Sequence, residues 1–65
     1  MQKKQKQEDR YIRVAEMQDL LGGVSNVKAY AIIRQLNSEL KNQGYITIAG
    51  RVSRPYALKR LGITI

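Results

Sequence analysis

Two adjacent glycines, Gly22 and Gly23, interrupt amphipathic sequence and limit the folds that are open to this chain. Glycine adopts left-handed backbone conformations that other residues avoid, so a glycine pair after a helical pattern predicts a helix end and a sharp turn. Before the pair, apolar residues recur at three- and four-residue spacing, which predicts a short helix over residues 14–21. After it, Ser25 stands at the N-cap of a longer pattern that predicts a main helix over residues 26–42.

The second half of the chain predicts a hairpin and a third helix. Gly44 ends the main helix, and residues 45–48 form a β-branched and aromatic run that, with residues 51–53, predicts a small β-hairpin. Pro55 follows a capping serine, so a short closing helix is expected up to Gly62. Two helices, a tight turn and a basic hairpin predict a mainly α domain with a small β-hairpin, a winged helix-turn-helix, over residues 11–65. Residues 1–10 contain no apolar residue after Met1 and are expected to form a flexible basic N-terminal arm.

The size and composition of the chain argue against an enzyme. Sixty-five residues allow one small domain with a thin core and little room for a substrate cavity. Cysteine and histidine are both absent, which excludes disulfides, Cys/His metal sites, thiol nucleophiles and the commonest general base. The five acidic residues form no convincing catalytic pair. We therefore expect no catalysis, no metal and no cofactor.

The net charge of +7 is typical of a protein that binds a polyanion, and double-stranded DNA is the first candidate. Residues 49–65 contain Arg51, Arg54, Lys59 and Arg60 but no acidic residue. No apolar run follows the basic N-terminus, so we expect neither a signal peptide nor a membrane span, and we expect the protein in the cytoplasm.

The main helix and the hairpin supply the candidate contacts to DNA. An asparagine can pair with adenine and an arginine with guanine in the major groove, whereas residues at a helix N-terminus can hold phosphates. Two arginines at the hairpin can reach the DNA backbone or the minor groove. The candidate DNA-binding residues are Ser25, Asn26, Lys28, Tyr30, Arg34, Arg51 and Arg54.

Three stretches of this chain, Val14–Ser25, Ala29–Asn37 and Gln43–Val52, together with Pro55 and Tyr56, resemble the MerR-like, excisionase-type DNA-binding proteins of phages and integrative elements. The resemblance covers residues 11–62. It implies a small accessory factor that binds near recombination sites, bends DNA and steers a site-specific integrase toward excision. It also implies a second role in regulating the factor's own operon, and the sequence leaves these two roles open.

Other functions stay open beside DNA binding. A small protein-interaction module, an inhibitor or adaptor, would present Tyr30, Tyr45 and Tyr56 to a partner protein, because tyrosine is favoured at such interfaces. RNA binding is less well supported, since phenylalanine and tryptophan are absent and the four tyrosines are scattered. We expect a monomer in solution that binds DNA cooperatively.

Overall fold

A computed structural model describes residues 10–63 of the chain. Residues 1–9 of the predicted arm and the last two residues of the predicted domain lie outside the described residues. Three helices and one two-stranded antiparallel sheet confirm the predicted fold class. The elements in chain order are β1 (Tyr11–Arg13), α1 (Val14–Leu20), α2 (Asn26–Asn42), β2 (Arg51–Ser53) and α3 (Arg54–Leu61).

The turn between α1 and α2 depends on both glycines. Gly22 and Gly23 have φ values of 85° and 91°, in the left-handed region that side chains with a Cβ rarely enter. Their amides donate to the last free carbonyls of α1, Gly22 to Asp19 at 3.1 Å and Gly23 to Gln18 at 2.7 Å. The Gln18 side chain also donates to the Val24 carbonyl at 3.1 Å, which ties the turn back to α1.

The predicted bounds of α2 and its cap are confirmed. The Ser25 hydroxyl oxygen accepts a hydrogen bond from the Lys28 amide at 3.1 Å, so one orphan donor of the first turn is satisfied. The buried side of α2 is a stripe of apolar residues, and Ile32 lies partly buried at its edge. That stripe fixes which side of α2 remains free; its buried members are Ala29, Ile33, Leu36 and Leu40.

The strand pairing differs from the predicted hairpin. Residues 45–47 form no strand, and Ile48 makes a single bridge to Arg51 across the tight Ala49–Gly50 turn. The partner of β2 is instead β1, with Ile12 opposite Val52. This pairing is preferred because it buries both of those side chains, whereas Ile46 is 96% exposed in the loop. We call residues 43–50 the wing loop.

All five elements share one small core without a buried polar side chain among residues 10–63. The two strands contribute Ile12 and Val52 to it, and α3 contributes Ala57. Within that range, no helix is long and apolar enough to cross a membrane. The buried residues are Ile12, Met17, Ala29, Ile33, Leu36, Leu40, Val52 and Ala57.

Candidate nucleic-acid interface

The outer face of α2 is the side of the helix opposite the core. Residues three or four positions apart lie on the same side of a helix, so burying the apolar stripe leaves a continuous exposed surface. The acid-free first turn of α2 lies at one end of this surface, and Lys41 lies at the other. Its exposed members include Asn26, Val27, Lys28, Tyr30, Ala31, Arg34, Ser38 and Lys41.

An aromatic ring supports the arginine at the middle of this face. The Arg34 guanidinium carbon lies 5.6 Å from the centre of the Tyr30 ring, within the range of a cation–π contact. Tyr30 is 41% exposed, so its ring lies at the surface beside the arginine. The contact restricts a flexible side chain and holds its donors on the outer face, where a base edge would lie.

The N-terminus of α2 presents three predicted residues to solvent. Ser25, Asn26 and Lys28 are all exposed. The Ser25 oxygen accepts the capping bond, which leaves its hydroxyl hydrogen for donation to an anion. The positive end of the helix dipole and the Lys28 side chain act at the same place, so this end of α2 is electrostatically suited to a phosphate.

A groove of about 470 Å³ separates the outer face of α2 from the wing loop. Arg34, Ser38 and Lys41 line it on the helix side, and Thr47 and Gly50 line it on the loop side. None of the described side chains that line the groove is acidic. Two cations and several hydrogen-bonding groups along this open groove form a suitable path for a phosphate backbone.

Asn37 joins the wing loop to α2 and was missed by the sequence reasoning. Its side-chain amide donates to the Ile48 carbonyl at 3.1 Å and to the Arg51 carbonyl at 2.9 Å. One side chain thus holds both ends of the Ala49–Gly50 turn and sets the width of the groove. The sequence held one signal for this role. Asn37 lies next to the buried Leu36 in the interior of a helix, although asparagine is a poor helix former.

Arg51 lies on the strand pair and not in that groove. Its guanidinium carbon is 5.9 Å from the centre of the Tyr11 ring. Arg13 is the residue directly opposite Arg51 in the sheet, so two like charges share one face, an arrangement that is unfavourable without an anion. Among residues 10–63, neither arginine forms an ion pair with a carboxylate. Arg13 was also missed, because its position depends on the pairing of β1 with β2.

No acidic residue lies near Arg54 in the sequence, but the fold brings one to it from α1. Its two terminal nitrogens donate to the carboxylate of Glu16, one of them at 2.9 Å, and one also donates to the Tyr11 carbonyl at 3.3 Å. The side chain of Arg54 is 24% exposed. The fold brings together residues that are 38 positions apart, and the contact favours a structural role in joining α3 to α1.

A second polar cluster joins α2 to α3. The Glu39 carboxylate accepts two hydrogen bonds from Arg60 and one from the Tyr56 hydroxyl, each at 2.7 Å. The bonds from Arg60, followed by the bond from Tyr56, lower the pKa of Glu39 from 4.5 to about 2. The single acidic residue of α2 is therefore neutralised within the fold and faces α3, away from the outer face.

A further groove of about 550 Å³ lies on the other side of the wing loop. Tyr11, Tyr45 and Tyr56 line it together with Ile46, and Tyr45 is 61% exposed. Of the three tyrosines predicted for a protein interface, Tyr45 and Tyr56 meet here, whereas Tyr30 lies in the groove beside α2.

Comparison with known proteins yields one clear similarity. The ICEBs1 excisionase of Bacillus subtilis (strain 168) is 43% identical to this chain over 44 residues, which are 68% of this chain and 67% of that protein. No protein-family model matches the chain, and no solved structure does.

Proposed function

The chain belongs to the family of the ICEBs1 excisionase, and from that membership we propose a sequence-specific double-stranded DNA-binding protein that sets the direction of site-specific recombination. In this role it is an accessory factor of a phage or other mobile element, without catalytic activity or a cofactor, and it acts in the cytoplasm.

The observation that carries the proposal is the cationic, acid-free outer face of α2. An α-helix with its side chains is about 10–12 Å across, and the major groove of DNA is about 12 Å wide, so this face can enter it. We propose that Arg34, which contacts the Tyr30 ring, pairs with a guanine and that Asn26 pairs with an adenine. These two residues are the proposed source of sequence specificity.

Phosphate contacts at the edges of this face would fix the orientation of the protein. Ser25 and Lys28 act at the N-terminus of α2, and Lys41 acts in the groove beside the wing loop. Arg51 and Arg13 supply a further cationic position on the strand pair. We leave Arg54 out of the proposed interface because Glu16 already occupies its guanidinium.

A site-specific integrase is the proposed protein partner. The protein alters the DNA near the recombination site, and the integrase performs the chemistry. The exposed Tyr45 and Ile46 provide an apolar surface next to the DNA-facing groove, which suits a protein contact made on DNA. We propose a monomer in solution and cooperative binding of several copies along the DNA.

The proposal is tested by fluorescence-anisotropy titrations of the DNA upstream of the protein's own gene and of a random duplex of equal length, over a salt series. We expect tighter binding to the upstream DNA and a steep loss of affinity for both duplexes as salt rises. Arg34→Ala should lose about 1–3 kcal/mol of specific affinity and little affinity for random DNA.

Lys59→Ala is the matched control, because Lys59 is an exposed cation on α3 that lines the other groove and not the groove beside the outer face of α2. If Arg34→Ala and Lys59→Ala lowered specific affinity equally, the placement of α2 in the major groove would be wrong. If wild type bound neither duplex even at low salt, the alternative of a protein-interaction module would replace DNA binding. An excision assay with the integrase and a promoter-reporter assay then separate excision from transcriptional regulation.

A further inference from the structure

Val27 is an apolar exception on the polar N-terminal half of α2. It is 77% exposed, so the fold of this chain makes little use of its side chain. A β-branched residue at an exposed helix position is also a poorer helix former than alanine, lysine or glutamate. The valine thus costs helix stability and leaves its methyl groups in water, where they are available for a contact outside the chain.

Val27 and its neighbour on the same side of α2 form a short apolar strip. Ala31 lies one turn later on the same side of α2 and is also exposed. Arg34 follows at seven residues from Val27, still on the outer face. Methyl groups therefore occupy the N-terminal part of this face, and a guanidinium occupies its middle.

We propose that Val27, with Ala31 beside it, contacts the C5 methyl group of a pyrimidine in the major groove. This inference rests on the proposed function and deepens it. The C5 methyl is the apolar feature that a base pair presents in this groove, and alanine-sized or branched methyl groups are its usual partners. Thymine carries this methyl in ordinary DNA, and 5-methylcytosine carries the same group.

The spacing along α2 places the methyl relative to the guanine. Seven residues of helix span about 10.5 Å, and successive base pairs are about 3.4 Å apart. Because a helix in the major groove is inclined to the DNA axis, the C5 methyl contacted by Val27 should lie within about three base pairs of the guanine contacted by Arg34. This interval is a prediction about the target sequence as well as about the protein.

The test combines one protein change with one change of a single methyl group in the DNA. Each thymine of the bound site is replaced in turn by deoxyuridine, which lacks the C5 methyl, and anisotropy titrations compare wild type with Val27→Ala. At one position we expect wild type to lose about fourfold in affinity, the value for burying one methyl-sized group. Val27→Ala should lose affinity on the thymine site and show a smaller loss than wild type when that thymine is replaced by deoxyuridine, because only the shorter alanine methyl groups remain near the C5 methyl.

Two further measurements distinguish thymine from 5-methylcytosine as the source of the methyl group, and a lost DNA contact from a loss of protein stability. A cytosine–guanine pair at that position should bind more tightly when the cytosine carries a C5 methyl, and this gain in affinity should be larger for wild type than for Val27→Ala. The thermal midpoint of Val27→Ala should not fall below that of wild type, because the residue is exposed and alanine is the better helix former.

The outcomes bear differently on the two proposals. Specific binding with equal deoxyuridine penalties in wild type and Val27→Ala, or with none at any position, would overturn this inference and leave the proposed function intact. Absence of DNA binding by wild type would overturn both.

Discussion

Replacing Asn37 with alanine should loosen the wing loop from α2 without disturbing the buried core. The variant removes two hydrogen bonds, at 3.1 Å to the Ile48 carbonyl and at 2.9 Å to the Arg51 carbonyl. The first lies in an exposed position where water can replace the donor, and the second is partly buried. With each bond worth about 0.5–1.5 kcal/mol net, the expected loss is about 1–3 kcal/mol in the free energy of unfolding.

Helix propensity opposes part of this loss, because alanine is a better helix former than asparagine by about 0.5 kcal/mol. Asn42→Ala is the matched control, since Asn42 is an exposed asparagine in the same helix. The difference between the two variants gives the contribution of the amide contacts minus the larger gain in helix propensity at the interior position 37. For a domain of this size, each kcal/mol corresponds to about 4–8 °C in the thermal midpoint.

Circular dichroism during urea and thermal unfolding measures the loss, and DNA titration measures its functional effect. Asn37→Ala should unfold at lower temperature than Asn42→Ala and bind target DNA more weakly, because the groove beside the wing loop no longer has a fixed width. Asn37→Asp should be worse still, since a carboxylate would face two carbonyl oxygens. Equal stability of Asn37→Ala and Asn42→Ala would refute the reasoning.

Three further predictions concern the charged side chains. The pKa of Glu39 is about 2 in the fold against 4.5 ordinarily, so this carboxylate stabilises the protein above pH 4.5 and the stabilisation is lost as the pH falls from 4.5 toward 2. The urea midpoint of wild type should drop across that range more than the midpoint of Glu39→Gln. Arg51→Ala should weaken specific and random DNA binding alike and reduce the slope of log affinity against log salt by about one; a loss confined to the specific site would contradict a phosphate contact. Arg54→Ala should lower stability and leave that salt slope unchanged, with a coupling to Glu16→Ala of about 0.5–1 kcal/mol in a double-mutant cycle. A reduced slope would instead make Arg54 a DNA contact.

The helices could be predicted from the sequence because their signals are local. The glycines that end α1, α2 and α3 and the cap at Ser25 act on backbone groups within a few residues, so pattern and boundary agree. The same periodicity predicted which side of α2 is exposed, and Arg34 and Asn26 are exposed in the structure.

The strand pairing and the ion pairs could not be predicted in this way. β1 is three residues long, and its partner lies at the other end of the domain, so no local pattern selects it over residues 45–48. The contact of Arg54 with Glu16 joins residues 38 positions apart. Arg13 could not be identified as a neighbour of Arg51 without the pairing of the two strands.

The small, wholly apolar core has a consequence for the lifetime of the protein in a cell. At about 0.05–0.15 kcal/mol per residue, 65 residues have a total stability of about 3–10 kcal/mol, and no disulfide or buried ion pair adds to it within residues 10–63. DNA at one hundred times its dissociation constant would add about 2.7 kcal/mol, which lowers the unfolded population about a hundredfold. Cellular proteases act on the unfolded population, so copies that leave the DNA should be degraded faster than copies that stay bound. DNA binding would thus protect the protein from degradation, and its cellular concentration would fall soon after it dissociates from those sites.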